Sequence, residues 1–317
     1  MTYRFSRSPV HLAAPIAQSC RSGPACPCCA AIARAQQQAL FDALPEWCSP
    51  LTPGMQLVNL SHSEDGGKLR VDLGADWPRM FGQLSRAGEA LVMTRNTAAI
   101  IGRRMQYPVL RVTSGGGKAA SGEGGLWLDF RQLGAARAVH LRREERHVFG
   151  VEFADTTGNL VHRFTLTPES DMDEFFAWVR LHQACTADPS ATSSTVAEAS
   201  PAPSPARARR HCDTGALVSV VAACVDQKIA VRATVSGAGV TQRVEFTPGA
   251  LQRSAGWWFA SDDDTGLHFC PDLLARITLE EHTVLGAATE DGTTALLLEA
   301  GSPTMEGAWR RLLETMA

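Results

Sequence analysis

A pattern that occurs twice in the chain constrains its fold more than any other feature. Residues His147 to Phe164 read as two short apolar strands around an Asp-Thr-Thr-Gly turn, and His282 to Leu298 repeat the scheme around Asp291-Gly292. Each hairpin leads into a helix-starting segment, Pro168-Glu-Ser170 in the first case and Pro303-Thr304 in the second. Each helix then ends in Trp-x-Arg-Leu, at Trp178 to Leu181 and at Trp309 to Leu312. One match would be chance, but hairpin, cap and helix recurring in order point to duplication. The length of 317 residues suits two copies.

The rest of the chain divides around these copies. Residues 1–54 form a Cys-rich N-terminal part with a helix over 30–44, and 55–183 form the first copy. Residues 184–211 are a Pro/Ala/Ser-rich linker, and 212–317 form the second, diverged copy. Within the first copy, Asp76 caps a helix with Pro78 in its first turn, which runs to Leu84 and stops at Gly88. Strands are expected at 69–73, 90–94, 98–101, 107–112 and 125–130. The fold class that follows is α+β, with two pseudo-repeated large antiparallel β-sheets and flanking helices.

Several function classes fall away. Net charge is −3, and the one basic cluster, Arg207-Ala-Arg-Arg210, is too short for a nucleic-acid surface. No apolar run approaches the roughly 20 residues of a membrane span. The apolar stretch near the N-terminus is short and broken by Pro15, so a signal peptide is not expected. Nine cysteines in so long a chain argue for thiols in the cytoplasm, not a disulfide framework. The spacing of Cys20, Cys26, Cys28 and Cys29 lacks the second knuckle of a zinc site. The glycines at 115–117 and 122–125 do not open a helix and read as hairpin turns, not phosphate loops. Asp262-Asp263-Asp264 reads as a solvated turn, and Trp257-Trp258-Phe259 as a strand with rings on both faces.

The segment Asp76-Trp77-Pro78, Leu84, Gly88-Glu-Ala-Leu-Val-Met-Thr94-Arg95-Asn96 resembles the bacterial hemin-degrading and cytoplasmic haem-trafficking family. Further elements of that family follow in order: Tyr107, then Leu126 to Arg131 with Ala138-Val139 (a strand and helix in the family), then the hairpin containing Val161-His162-Arg163. The resemblance covers 66–182 well and 212–317 weakly. It implies a cytoplasmic protein that binds haem b for trafficking or utilisation and could assist its degradation, with a haem oxygenase or transporter component as partner and a homodimer as one assembly. It places Arg95 on the distal side of haem and Tyr107 at the site. The family's proximal histidine lies in the segment joining the copies, where this chain offers His211, with His182 as the alternative. Two departures weigh the other way: Ala135-Ala136-Arg137 replaces a histidine pair, and Glu299-Ala-Gly-Ser302 replaces Tyr-Gly-x-Arg. A glutamate near propionates is repulsive, so the rival reading is an interaction or regulatory protein that keeps the fold without haem.

Overall fold

The computed structural model describes residues 63–65, 68–121, 124–143, 146–183, 209–254, 256–280 and 283–315. The four N-terminal cysteines, the helix expected over 30–44 and the linker up to residue 208 lie outside the described residues. The first copy begins with β1 (Ser63–Asp65), β2 (Lys68–Leu73), α1 (Trp77–Gln83), β3 (Gly88–Arg95) and β4 (Ala99–Gln106). It continues through β5 (Arg111–Val112), β6 (Gly116–Ser121), β7 (Gly124–Asp129), β8 (Leu133–Arg143), β9 (Arg146–Asp155), β10 (Leu160–Ser170) and α2 (Met172–Gln183). The second copy opens with β11 (Arg209–Cys212), α3 (Thr214–Gln227), β12 (Val231–Gly237), β13 (Val240–Phe246), β14 (Ala250–Ser254) and β15 (Trp257–Ser261). It closes with β16 (Thr265–Phe269), β17 (Arg276–Glu280), β18 (Val284–Ala288), β19 (Thr294–Ala300) and α4 (Glu306–Glu314).

Two antiparallel sheets result, one of ten strands ordered β1-β2-β8-β9-β10-β3-β4-β16-β15-β14 and one of nine ordered β11-β17-β18-β19-β12-β13-β7-β6-β5. The two orders coincide when β2, β3 and β4 are matched with β11, β12 and β13, and β5–β10 with β14–β19. Each copy therefore gives its three-stranded meander to the other copy's sheet. The exchanged strands join at equivalent positions: Gly125 lies opposite Arg243 at the β7–β13 seam, and Gly266 opposite Gly102 at the β16–β4 seam. Neither copy completes a sheet alone, because main-chain hydrogen bonds of both sheets cross between them.

Local chemistry sets the helices. The Asp76 carboxylate accepts the Arg79 N–H at 3.3 Å and starts α1, with Pro78 in the first turn. Asp213 caps α3 in the same way, and α3 ends where Lys228 turns left-handed at φ 52°. The repeated tryptophans do matching work. Trp178 donates its indole N–H to the Met80 carbonyl at 3.0 Å, and Trp309 to the Thr283 carbonyl at 2.7 Å. Each ring is thereby buried with its one polar atom satisfied.

Two local expectations change. Ala138-Val139, aligned with a helix by resemblance, lies in β8, an eleven-residue strand bonded on both sides by β2 and β9. Alternation decides this: Ala136 and Ala138 face the core while Arg137 pairs with Asp72 on the other face. Of the strand expected over 107–112, only Arg111–Val112 forms, because Pro108 has no N–H to give a ladder.

The inner face of each sheet is shared. In the first core, α1 and α2 pack on β2, β3 and β8–β10, together with Leu126 and Leu128 of the exchanged β7. In the second, α3 and α4 pack on β12, β13 and β17–β19, with Leu267 and Phe269 of the exchanged β16. Strands β12 and β13 cross β3 and β4, which places the two sheets face to face at the molecule's centre. No helix among the described residues is long and apolar enough to cross a membrane.

Asn96, at the tip of the β3–β4 hairpin, pins this crossing. Its amide nitrogen donates to the Ser236 and Ala295 carbonyls at 2.9 and 2.7 Å, and its oxygen accepts the Ala98 and Ala99 N–H groups at 2.9 and 2.8 Å. All four hydrogen-bonding capacities of the side chain are used. Asn96→Ala should lower stability by about 2–4 kcal/mol, since several backbone groups lose their partner at once. Asn96→Asp should be at least as costly, because a carboxylate faces two carbonyl oxygens. Urea unfolding of the two variants checks both expectations; a loss under about 0.5 kcal/mol in each would show that the pin is dispensable.

Candidate functional site

The side chains of β3 alternate between two environments. Ala90 and Val92 enter the first core, whereas Leu91 and Met93 join Ile100, Trp257 and Cys270 in a separate cluster on the outer face of the ten-stranded sheet. Arg95 continues the Leu91–Met93 side and is 6% exposed. The second copy crosses directly over its backbone: a Cβ on Gly237 would lie 2.3 Å from the Arg95 carbonyl oxygen. That position therefore tolerates only glycine.

Across the sheet from Arg95 runs one row of paired residues: Ile100, His268 and Phe259. Two strand spacings, about 10 Å, separate Arg95 from His268. The His268 ring packs on Phe259 with centroids 4.3 Å apart. Its Nε2 is buried and has no hydrogen-bond partner among the described residues. Burial pushes its pKa down to about 4, so the ring is a neutral imidazole with an available nitrogen. Cys270 follows on the same face, buried, its thiol pKa raised chiefly by burial. In the adjoining row Met93, Gly102 and Gly266 face one another. The glycines leave a bare backbone floor, covered by Met93 on one side and the Phe259 ring on the other.

The other residues singled out in the sequence lie elsewhere. His211 is exposed on β11, the edge strand of the nine-stranded sheet, and begins a row through Thr278, Gly286, Leu297 and Thr234. Because Ala233 and Val235 fill the second core, that row lies on the outer face of the other sheet. Arg95 and His211 thus face away from each other. His182 is fully buried in α2, on the inner side, with its ring 4.7 Å from that of Trp178. Neither of its nitrogens has a hydrogen-bond partner among the described residues, and burial followed by the Arg79 charge lowers its pKa. Tyr107 is buried in the first core, where its phenol oxygen lies 3.4 Å from His162 Nε2. His162 Nδ1 is in turn 2.9 Å from the Thr94 hydroxyl. The Thr94 side chain therefore belongs to the core and Arg95, one residue on, to the outer face.

His268 was not singled out in the sequence. Its signal was present, two residues before Cys270-Pro271 in an alternating strand, but only the exchange of β16 brings it to Arg95. Among the described residues no group of three or more His, Cys, Asp or Glu side chains is placed to hold a metal ion. A cleft of about 400 Å³ opens between the sheets beside Val92, Met105, Leu126 and Gln242; Arg95 does not line it.

The buried histidines make stability depend on pH. Burial pushes the pKa of His162 down to about 3 and that of His268 to about 4, against about 6.5 in an unfolded chain. The unfolded chain takes up protons that the folded one refuses, so their contribution is complete above about pH 6.5 and is lost as pH falls toward 3 to 4. Urea midpoints should hold level near pH 7 to 8 and fall between about pH 6.5 and 4.5. His162→Gln should flatten this slope by up to about 1.4 kcal/mol per pH unit. A slope unchanged in that variant would place the proton uptake elsewhere.

Residues 55–182 match the model of the haemin-degrading HemS.ChuX domain. No curated protein matches the chain. Among solved structures, holo-PhuS, a haem-binding protein from Pseudomonas aeruginosa, is similar with a TM-score of 0.64 at 17% identity, over 78% of this chain and 87% of that one. The Escherichia coli O157:H7 haem-degrading enzyme ChuS is similar with a TM-score of 0.66 at 13% identity, over 78% of this chain and 86% of that one. At these identities the structures establish the shared two-sheet fold, and the domain match, over residues 55–182, falls on the first copy.

Proposed function

We propose that this protein binds haem, of the b type, on the outer face of the ten-stranded sheet, and carries it or supports its degradation. The observation behind this reading is the Arg95, Ile100, His268, Phe259 row: a guanidinium, an apolar spacer, a buried imidazole nitrogen with no hydrogen-bond partner among the described residues, and an aromatic ring. The HemS.ChuX match over 55–182 covers Arg95, and the relatives named above are a haem-binding protein and a haem-degrading enzyme.

The residue types suit the group, but the face is closed in this structure, with Leu91, Met93 and Ile100 at most 2% exposed, so haem would enter only as these side chains part. A porphyrin needs an apolar surface, an axial ligand and a partner for its carboxylates or for an oxygen ligand. When bound, haem supplies an iron centre able to take up dioxygen and electrons. His268 would hold the iron through Nε2, already neutral and so needing no deprotonation. Arg95 would donate charge-assisted hydrogen bonds to an anionic oxygen. Leu91, Ile100 and Trp257 would exclude water. Met93, unbranched and adaptable, is the side chain over the glycine floor that can move aside for a flat ligand. His211, exposed on β11, would serve only a haem bound on the outer face of the nine-stranded sheet, away from Arg95, and His182 only one bound on the inner side of the first core. Delivery to a haem oxygenase or transporter component, or degradation within this protein, would follow in the cytoplasm.

A hemin titration followed at the Soret band tests the reading. Wild-type protein should give a saturable red shift; His268→Ala should change the band position and weaken binding about tenfold or more, with partial recovery on adding imidazole. Arg95→Ala should leave the axial ligand's signature but weaken binding. If His211→Ala rather than His268→Ala alters the band, the ligand comes from β11. No Soret shift in the wild type overturns haem binding and leaves the interaction-protein reading, which Glu299 in place of the family's tyrosine favours.

A further inference from the structure

Two histidines away from the proposed haem face meet on the β8–β9 hairpin. Ala138 and Phe149 point into the first core. Alternation therefore puts His140, two residues after the one, and His147, two before the other, on the same inner side. In the ladder His140 lies opposite Phe149 and His147 opposite Arg142, so the two histidines are diagonal neighbours. Their facing nitrogens, His140 Nε2 and His147 Nδ1, are 2.8 Å apart.

Packing braces both rings. The His140 ring lies 4.4 Å from Phe149 at 11° and 5.0 Å from His147 at 17°, so the three rings form one column. Phe149 is in turn held edge-on by Phe176 of α2. Both imidazoles stand half-buried at the rim of the core, within reach of water. A contact of 2.8 Å between two ring nitrogens is an N–H···N hydrogen bond, so one of them already presents a lone pair. The other presents its own when its proton moves to the far nitrogen of the same ring, the second neutral tautomer. No proton is lost in that change. An ion bound by two imidazoles at about 2.0–2.1 Å, at a right or tetrahedral angle, sets the nitrogens about 2.9–3.4 Å apart. The hairpin needs to open by little to reach that spacing.

We propose that His140 and His147 form a binding site for a divalent late first-row metal ion, with Cu²⁺ held most tightly. Imidazole nitrogen favours such ions over Mg²⁺ and Ca²⁺, which want oxygen. No third His, Cys, Asp or Glu among the described residues joins the pair, so water completes the coordination. Arg142, one ladder position from His147, brings a positive charge that keeps the affinity moderate. The site lies on the opposite side of the ten-stranded sheet from Arg95 and does not depend on haem binding there.

Copper titration of the full chain, with accessible thiols alkylated beforehand and no hemin added, tests this. One equivalent of Cu²⁺ should bind with a Kd on the order of micromolar. Its electron paramagnetic resonance spectrum should show two nitrogen ligands. Zn²⁺ should compete for the site and millimolar Mg²⁺ should not. His140→Gln and His147→Gln should each weaken binding about tenfold or more and reduce the nitrogen count to one. Absence of saturable one-equivalent binding overturns the proposal, as does binding that both substitutions leave intact. Should neither variant fold, paramagnetic broadening in the wild type decides. Loss of the His140, His147 and Phe149 ring signals at substoichiometric copper sustains the site, and loss elsewhere instead overturns it.

Discussion

Main-chain hydrogen bonds across two seams, β4 to β16 and β13 to β7, hold the rest of the molecule in register. A ladder shifted by one residue would send every side chain to the opposite face. Here such a shift would carry His268 into the second core and Leu267 to the surface. The tip of the β3–β4 hairpin, clamped by Asn96, and the glycine at 237 under which the Arg95 backbone passes, keep the two sheets in one relative position. The site row, the buried Tyr107–His162–Thr94 contacts and the inter-sheet cleft all inherit their geometry from that crossing.

The face-by-face placement also separates roles that adjoin in sequence. In Met93-Thr94-Arg95-Asn96, four consecutive residues do four different things. Met93 covers the glycine floor outside, Thr94 bonds His162 inside, Arg95 faces outward again, and Asn96 joins the copies. A run that looks like one motif is two structural fixtures and two residues of the proposed haem face, interleaved by the period of a strand.

Much of this was legible from the sequence, and what was not has a physical cause. Repetition of a hairpin, cap and helix revealed duplication because local elements leave local patterns. Capping by Asp76 and the tryptophan-bearing helices were readable for the same reason. Exchange of the meanders was not readable, because pairing of β7 with β13 joins residues more than a hundred positions apart and leaves the alternation of either strand unchanged. The candidate site was half visible: Arg95 sits in a recognisable run, while His268 is one histidine in an ordinary strand until β16 is placed beside β4. Tyr107 and His182 drew notice as side chains able to bind a cofactor, yet burial on the inner side gives the first a packing role and leaves the second behind the helical layer.

The reciprocal exchange of three strands has the form of a domain-swapped dimer whose two subunits have been joined into one polypeptide. Joining them replaces an encounter in solution by a local concentration on the order of millimolar. It also removes symmetry as an obligation. In a true dimer any change on one outer face is made on both; in a fused chain each face answers to its own codons. An imidazole can therefore arise opposite Arg95 while its counterpart, Trp127, takes a different path, and Gln242 can enter one seam while Ile101 seals the other.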